Sequence, residues 1–132
     1  MNPTEHKVNR SAALKIYQWC KKKYGRSKYN GRYPDVKFRK GDYTTEDVWG
    51  LYDCEENYIY VNSSSVITLE DLVVTMIHEY THYKQNMRVD WVVLCKYFDS
   101  TTFDHPLEKE AEETAQRDRV SCLKEVFDVI IS

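Results

Sequence analysis

The sequence predicts an α+β domain: a small antiparallel or mixed sheet of about three strands, packed on an N-terminal helix, a central helix and a C-terminal helix. Three observations predict it. Apolar residues recur at helical spacing near both ends and in the middle of the chain. Between the first two helical stretches lie three short runs rich in Val, Ile, Tyr, Phe and Trp, bounded by turn-forming residues. The chain has 132 residues, 42% hydrophobic and 30% charged, which fits a single globular domain over residues 1–132 rather than a disordered chain.

The first helix is expected over Ser11 to Tyr24. Leu14, Tyr17 and Cys20 mark its stripe, and Ile16 and Trp19 widen it. Lys21-Lys22-Lys23 suits the negative end of the helix dipole, and Gly25 stops the helix. That basic run reads as a solvated helix end rather than a nucleic-acid patch. Asn30-Gly31 signals a turn. Strands are expected at Asp35–Arg39, Val48–Asp53 and Tyr58–Asn62, separated by Lys40-Gly41-Asp42 and Cys54-Glu55-Glu56-Asn57, and the simplest arrangement is an antiparallel meander. Thr68 reads as the N-cap of the central helix, with Glu70 and Asp71 in its first turn and an end near Met87. Trp91 to Phe98 reads as a short helix. The last helix begins at Pro106, a favourable first helical residue, and runs to about Ile130.

Composition narrows the function classes. A net charge of −2, from 19 basic and 21 acidic residues, gives no expectation of a nucleic-acid partner, although it leaves room for a local basic patch. No stretch approaches the ~20 apolar residues of a membrane span, and Met-Asn-Pro-Thr-Glu-His-Lys carries no secretory leader, so the expected location is cytoplasmic. Cys20, Cys54, Cys95 and Cys122 form no C-x-x-C pair and read as reduced, mostly buried side chains. Eleven tyrosines provide large amphipathic groups for a small core.

The chemistry lies in His78-Glu79-Tyr80-Thr81-His82, an H-E-x-x-H sequence. Histidines four apart on a helix share one face, so their imidazoles can bind one Zn²⁺ while the intervening glutamate lies beside them as general base. Leu69, Leu72, Val73, Met76, Ile77, Tyr80, Tyr83 and Met87 form the apolar stripe, and steps of ~100° per residue put both histidines nearly opposite its centre. Their face must meet solvent or another element of matching chemistry. A hydrolytic zinc site needs a third ligand and one open position for water. Glu108 shares a helix side with Ala111, Ala115 and Cys122, small residues that allow close helix approach, and is the expected third ligand. Glu112, one turn later, is placed to hold a ligand histidine from behind.

His78-Glu79-x-x-His82, followed after 25 residues by Glu108-x-x-Ala111-Glu112, resembles a gluzincin zinc metallopeptidase. The small size is similar to the minigluzincins and the ImmA/IrrE-type peptidases. The resemblance implies a zincin-like fold, one Zn²⁺ held by His78, His82 and Glu108, and hydrolysis of a peptide or protein substrate with Glu79 as general base. It further implies a Tyr or His that steadies the transition state, for which Tyr97 and His105 are the candidates. An extended substrate would pair with an exposed strand, expected at Trp49–Asp53, where Trp49 is either part of that edge or a core anchor. Glu112 departs from the Asp or Asn usual at its position. The rival SprT-like pattern would take His105 as third ligand, but Pro106 follows it and no C-x-x-C exists. A regulatory or protein-binding module on the same scaffold is the alternative function.

Overall fold

The computed structural model describes residues 7–41, 48–91 and 105–130. Helix α1 spans Arg10–Tyr24, capped by the Asn9 side chain, which accepts the Ala12 N–H. Strands β1 (Asp35–Arg39), β2 (Gly50–Asp53) and β3 (Tyr58–Asn62) follow. Helix α2 covers Leu69–Lys84, a π-helical turn occupies Met87–Trp91, and helix α3 covers Pro106–Phe127. The architecture is therefore α+β, with a three-stranded mixed sheet and three main helices. Among the described residues no helix is long and apolar enough to cross a membrane.

The sheet corrects the meander. Its order is β1-β3-β2: β2 and β3 form the expected antiparallel hairpin, but β1 runs parallel to β3, with Val36 opposite Ile59 and Phe38 opposite Val61. Connection lengths explain the difference. Four residues join β2 to β3, within hairpin range, whereas ten separate β1 from β2. The Asp53 carboxylate shapes the tight turn by accepting the N–H groups of Glu55 and Glu56, and Asn57 takes a left-handed conformation at φ 55°. The most apolar strand, β3, thus lies in the middle, while charged β1 forms an outer edge.

Helix α2 begins at Thr68 as expected, with a reciprocal capping box between Thr68 and Asp71. It ends three residues before the expected Met87, at Lys84, where Gln85 becomes the cap. Helix α3 starts at Pro106 behind the His105 cap but stops at Phe127, short of Ile130. Asp128 there adopts the left-handed conformation, and the Asp128 and Val129 N–H groups reach back to Lys124 and Leu123, closing the helix end. The short helix expected at Trp91–Phe98 lies outside the described residues apart from Trp91.

One core joins these elements. Ile16 and Cys20 of α1, Val36, Ile59 and Val61 of the sheet, Leu72, Met76 and Tyr80 of α2, and Ala115, Cys122 and Leu123 of α3 pack together. Burial of Cys20 and Cys122 as free thiols agrees with the sequence; Cys54 is half-buried and Cys95 lies outside the described residues. The tyrosines satisfy their polar ends on backbone: Tyr17 donates to Pro34 O, Tyr80 to Gly25 O and Tyr83 to Asn30 O. These bonds pin the segment between α1 and β1 onto the body of the protein.

Candidate metal centre

Helix α2 buries its apolar stripe in the core and turns the histidine face toward α3 and β2. Ala111 and Ala115 of α3 are fully buried at this contact, and their small size permits the close approach. Gly50 does the same for β2. A Cβ there would meet Thr75 Cγ2 at 2.7 Å and the Tyr60 carbonyl oxygen at 2.8 Å, and Glu79 Cγ lies 3.4 Å away. Only glycine lets this strand lie against the helix.

His78, Glu79 and His82 bring one donor atom each to within 4.8 Å of one another. Glu108 reaches this pair of imidazoles from α3. Its carboxylate lies 3.4 Å from His78 Nε2 with one oxygen and contacts His82 Nε2 with the other. Donor atoms held ~2.0–2.1 Å from a tetrahedral zinc are about 3.3 Å apart, so the His78–Glu108 spacing is that of two ligands of one ion. Glu112 faces His78 Nδ1 at 3.3 Å, and its extra methylene does not prevent the contact.

The outer support of His82 comes from a residue that the sequence reading did not single out. Gln85 Oε1 lies 2.7 Å from His82 Nδ1. Gln85 Nε2 donates to the Leu107 carbonyl and to Glu110 Oε1, both at 2.9 Å. A carbonyl can only accept, so the amide nitrogen must face Leu107 and the amide oxygen must face His82. His82 Nδ1 therefore carries the hydrogen. Its other nitrogen meets the Glu108 carboxylate, and two lone-pair atoms in contact require a proton or a metal ion to share.

Charge balance at the centre favours a cation. Burial alone lowers the His78 pKa, but hydrogen bonding to Glu108 and the charges of Glu79, Glu108 and Glu112 outweigh it and hold the imidazole up to about 9. Burial likewise raises Glu108, but hydrogen bonds from His78 and His82 bring it down to about 2. Glu79 is buried, and burial pushes its carboxyl up, against the pull of both imidazoles. Two imidazoles and the Glu108 carboxylate, with Glu79 and Glu112 beside them, could hold a divalent ion.

A cleft of about 520 Å³ opens onto this group. Edge strand β2 and the following turn form one wall, His78, Glu79, His82 and Glu108 the floor, and Met87 and Arg88 the far side. Arg88 donates to the Cys54 carbonyl across the cleft wall and is a cation that the sequence reading also passed over. Trp49 is 48% exposed, so it is not a core anchor. His105 is fully buried; its Nδ1 accepts the Leu107 N–H, and it does not line the cleft. The structure thus places it as the cap of α3. Tyr97 lies outside the described residues. Searches against family models, curated proteins and solved structures find no match to this chain.

Proposed function

We propose that the chain is a zinc-dependent peptidase of zincin-like fold, acting in a reducing, cytoplasmic setting. The observation that carries this reading is the approach of Glu108, from a separate helix, to both imidazoles of the H-E-x-x-H turn. In this reading His78, His82 and Glu108 hold the ion, and Glu112 and Gln85 orient the two rings. When bound, zinc supplies Lewis acidity, which acidifies a water and draws charge from a peptide carbonyl. Glu79, at the cleft floor, takes the proton of the attacking water and delivers it to the leaving amine. Burial raises its pKa, which makes it a stronger base toward that water. The free edge of β2 beside the floor offers backbone groups to an extended substrate.

Elemental analysis and a peptide-library digest test the proposal together. The purified protein should hold one zinc per chain and cleave peptides. Glu79→Gln should keep the metal and lose hydrolysis, and Glu108→Ala should lose most of the metal. Cleavage unaffected by Glu79→Gln, in protein free of zinc, would refute the reading.

A further inference from the structure

We propose that the face displayed by Lys21–Tyr33 binds single-stranded nucleic acid. A net charge near zero conceals a segregation of charge along the chain. Residues 1–41 hold 12 of the 19 lysines and arginines but only two of the 21 acidic residues, a net of +10; the remaining residues carry the compensating −12. From Lys21 to Pro34 there are six cations and no acid. Balanced totals therefore hide a local basic excess that a polyanionic partner could meet.

The structure shows that these cations are displayed, not consumed. Lys22, Lys23, Arg26, Lys28 and Arg32 are exposed. Among the described residues, the ion pairs involve no lysine or arginine from Lys7 to Lys40. Their neighbours are tyrosine rings instead. Lys21 Nζ lies 4.8 Å and the Arg26 guanidinium 5.0 Å from the centre of the Tyr33 ring, and Lys28 Nζ lies 5.3 Å from that of Tyr29. The backbone beneath is fixed by Tyr80 on Gly25, Tyr83 on Ser27 and Asn30, and Lys84 on Tyr24 and Arg26. A loop anchored at its backbone, with exposed cations that make no ion pair among the described residues and one exposed ring, Tyr29, matches the combination used for single strands: charge for the phosphates, an aromatic face for a base.

Two other polyanions fit less well. An anionic membrane surface calls for exposed aliphatic anchors beside the charge, and Tyr29, at 51% exposure, is the exposed large hydrophobic residue of the described N-terminal stretch. An acidic protein segment uses the charge but gains nothing from the rings. Duplex grooves hide base faces, which unpaired strands expose.

The test is fluorescence anisotropy of the full chain with a labelled oligothymidylate, from about 50 to 200 mM salt. Binding should fall with salt at a log–log slope of about −4, for six phosphates at ~0.7 each. Lys28→Gln with Arg32→Gln should shallow that slope by about 1.4, and Tyr29→Ala should weaken binding about tenfold with the slope unchanged. Lys109→Gln on α3 is the control and should change neither. The proposal is overturned by no binding at low salt, by an equal effect of the control, by an inert Tyr29→Ala, or by equally tight binding of polyglutamate or phosphatidylserine vesicles. Neither zinc content nor cleavage enters these readings, so this proposal and the peptidase proposal fail separately.

Discussion

Gln85→Leu probes how the centre is held. Leucine keeps most of the side-chain volume and removes the amide. The His82 Nδ1–H then loses the Gln85 acceptor, and the Leu107 carbonyl loses its side-chain donor but keeps its place in the helix ladder, at a position only 9% exposed. Exposed Glu110 turns to water at little cost. A buried donor that loses its acceptor costs about 1–3 kcal/mol, so the variant should lose about that much stability in urea unfolding of metal-free protein. The His82 ring also loses the contact that fixes its tautomer. Removing such an outer partner typically lowers metal affinity about 10–100-fold, which competition with a chromophoric chelator reads directly. Gln85→Glu sharpens the comparison. Its carboxylate still accepts from His82 but faces the Leu107 carbonyl and Glu110, so stability should fall while zinc affinity is largely kept. Zinc affinity of Gln85→Leu within about twofold of the parent would refute the argument, because a merely structural role moves only the urea midpoint.

Further predictions concern protons and packing. His78 titrates near 9 in the folded metal-free chain against an ordinary 6.5, so its protonated form adds stability that is complete below pH 6.5 and lost as pH rises through about 9. The shift corresponds to about 3 kcal/mol, and the depressed Glu108 is the same interaction seen from its partner, lost as pH falls from 4.5 through about 2. Thermal unfolding should therefore show metal-free protein weakening from pH 6.5 to 9, while the same proton makes zinc binding about 100-fold weaker at pH 7 than above pH 9. Gly50→Val should cost about 1–3 kcal/mol in urea unfolding and slow peptide cleavage, because the new side chain pushes β2 off Thr75 and Glu79. Asn62 donates to the Val48 carbonyl and accepts from the Gly41 and Ser64 N–H groups, so Asn62→Ala should cost about 3 kcal/mol by the same measurement.

Patterns with one period or one cap were legible in the sequence. The helix starts at Asn9–Arg10, Thr68 and Pro106 lie at or within one residue of the expected positions, because side-chain caps are local chemistry. The placement of Glu108 on the side of Ala111 and Ala115 was legible for the same reason: helical angle follows from residue number. What could not be read were relations between distant segments. The pairing of β1 with β3 depends on which strand is most apolar and on the ten-residue connection, a clue present in the spacing but overridden by the habit of pairing neighbours. Gln85 was missed because its importance comes from Leu107 and Glu110, more than twenty residues away, and not from its own neighbourhood. Helix ends at Lys84 and Phe127 carry no glycine to announce them.

Because the two imidazoles and Glu108 belong to different helices, an ion held between them is also a clasp across the loop from residue 82 to residue 108. Such a clasp restrains the unfolded chain as a cross-link does, yet it can be undone by a chelator. On the proposed zinc reading, starving the protein of metal would loosen the hold of α3 on α2, coupling the protein's lifetime to the supply of that ion.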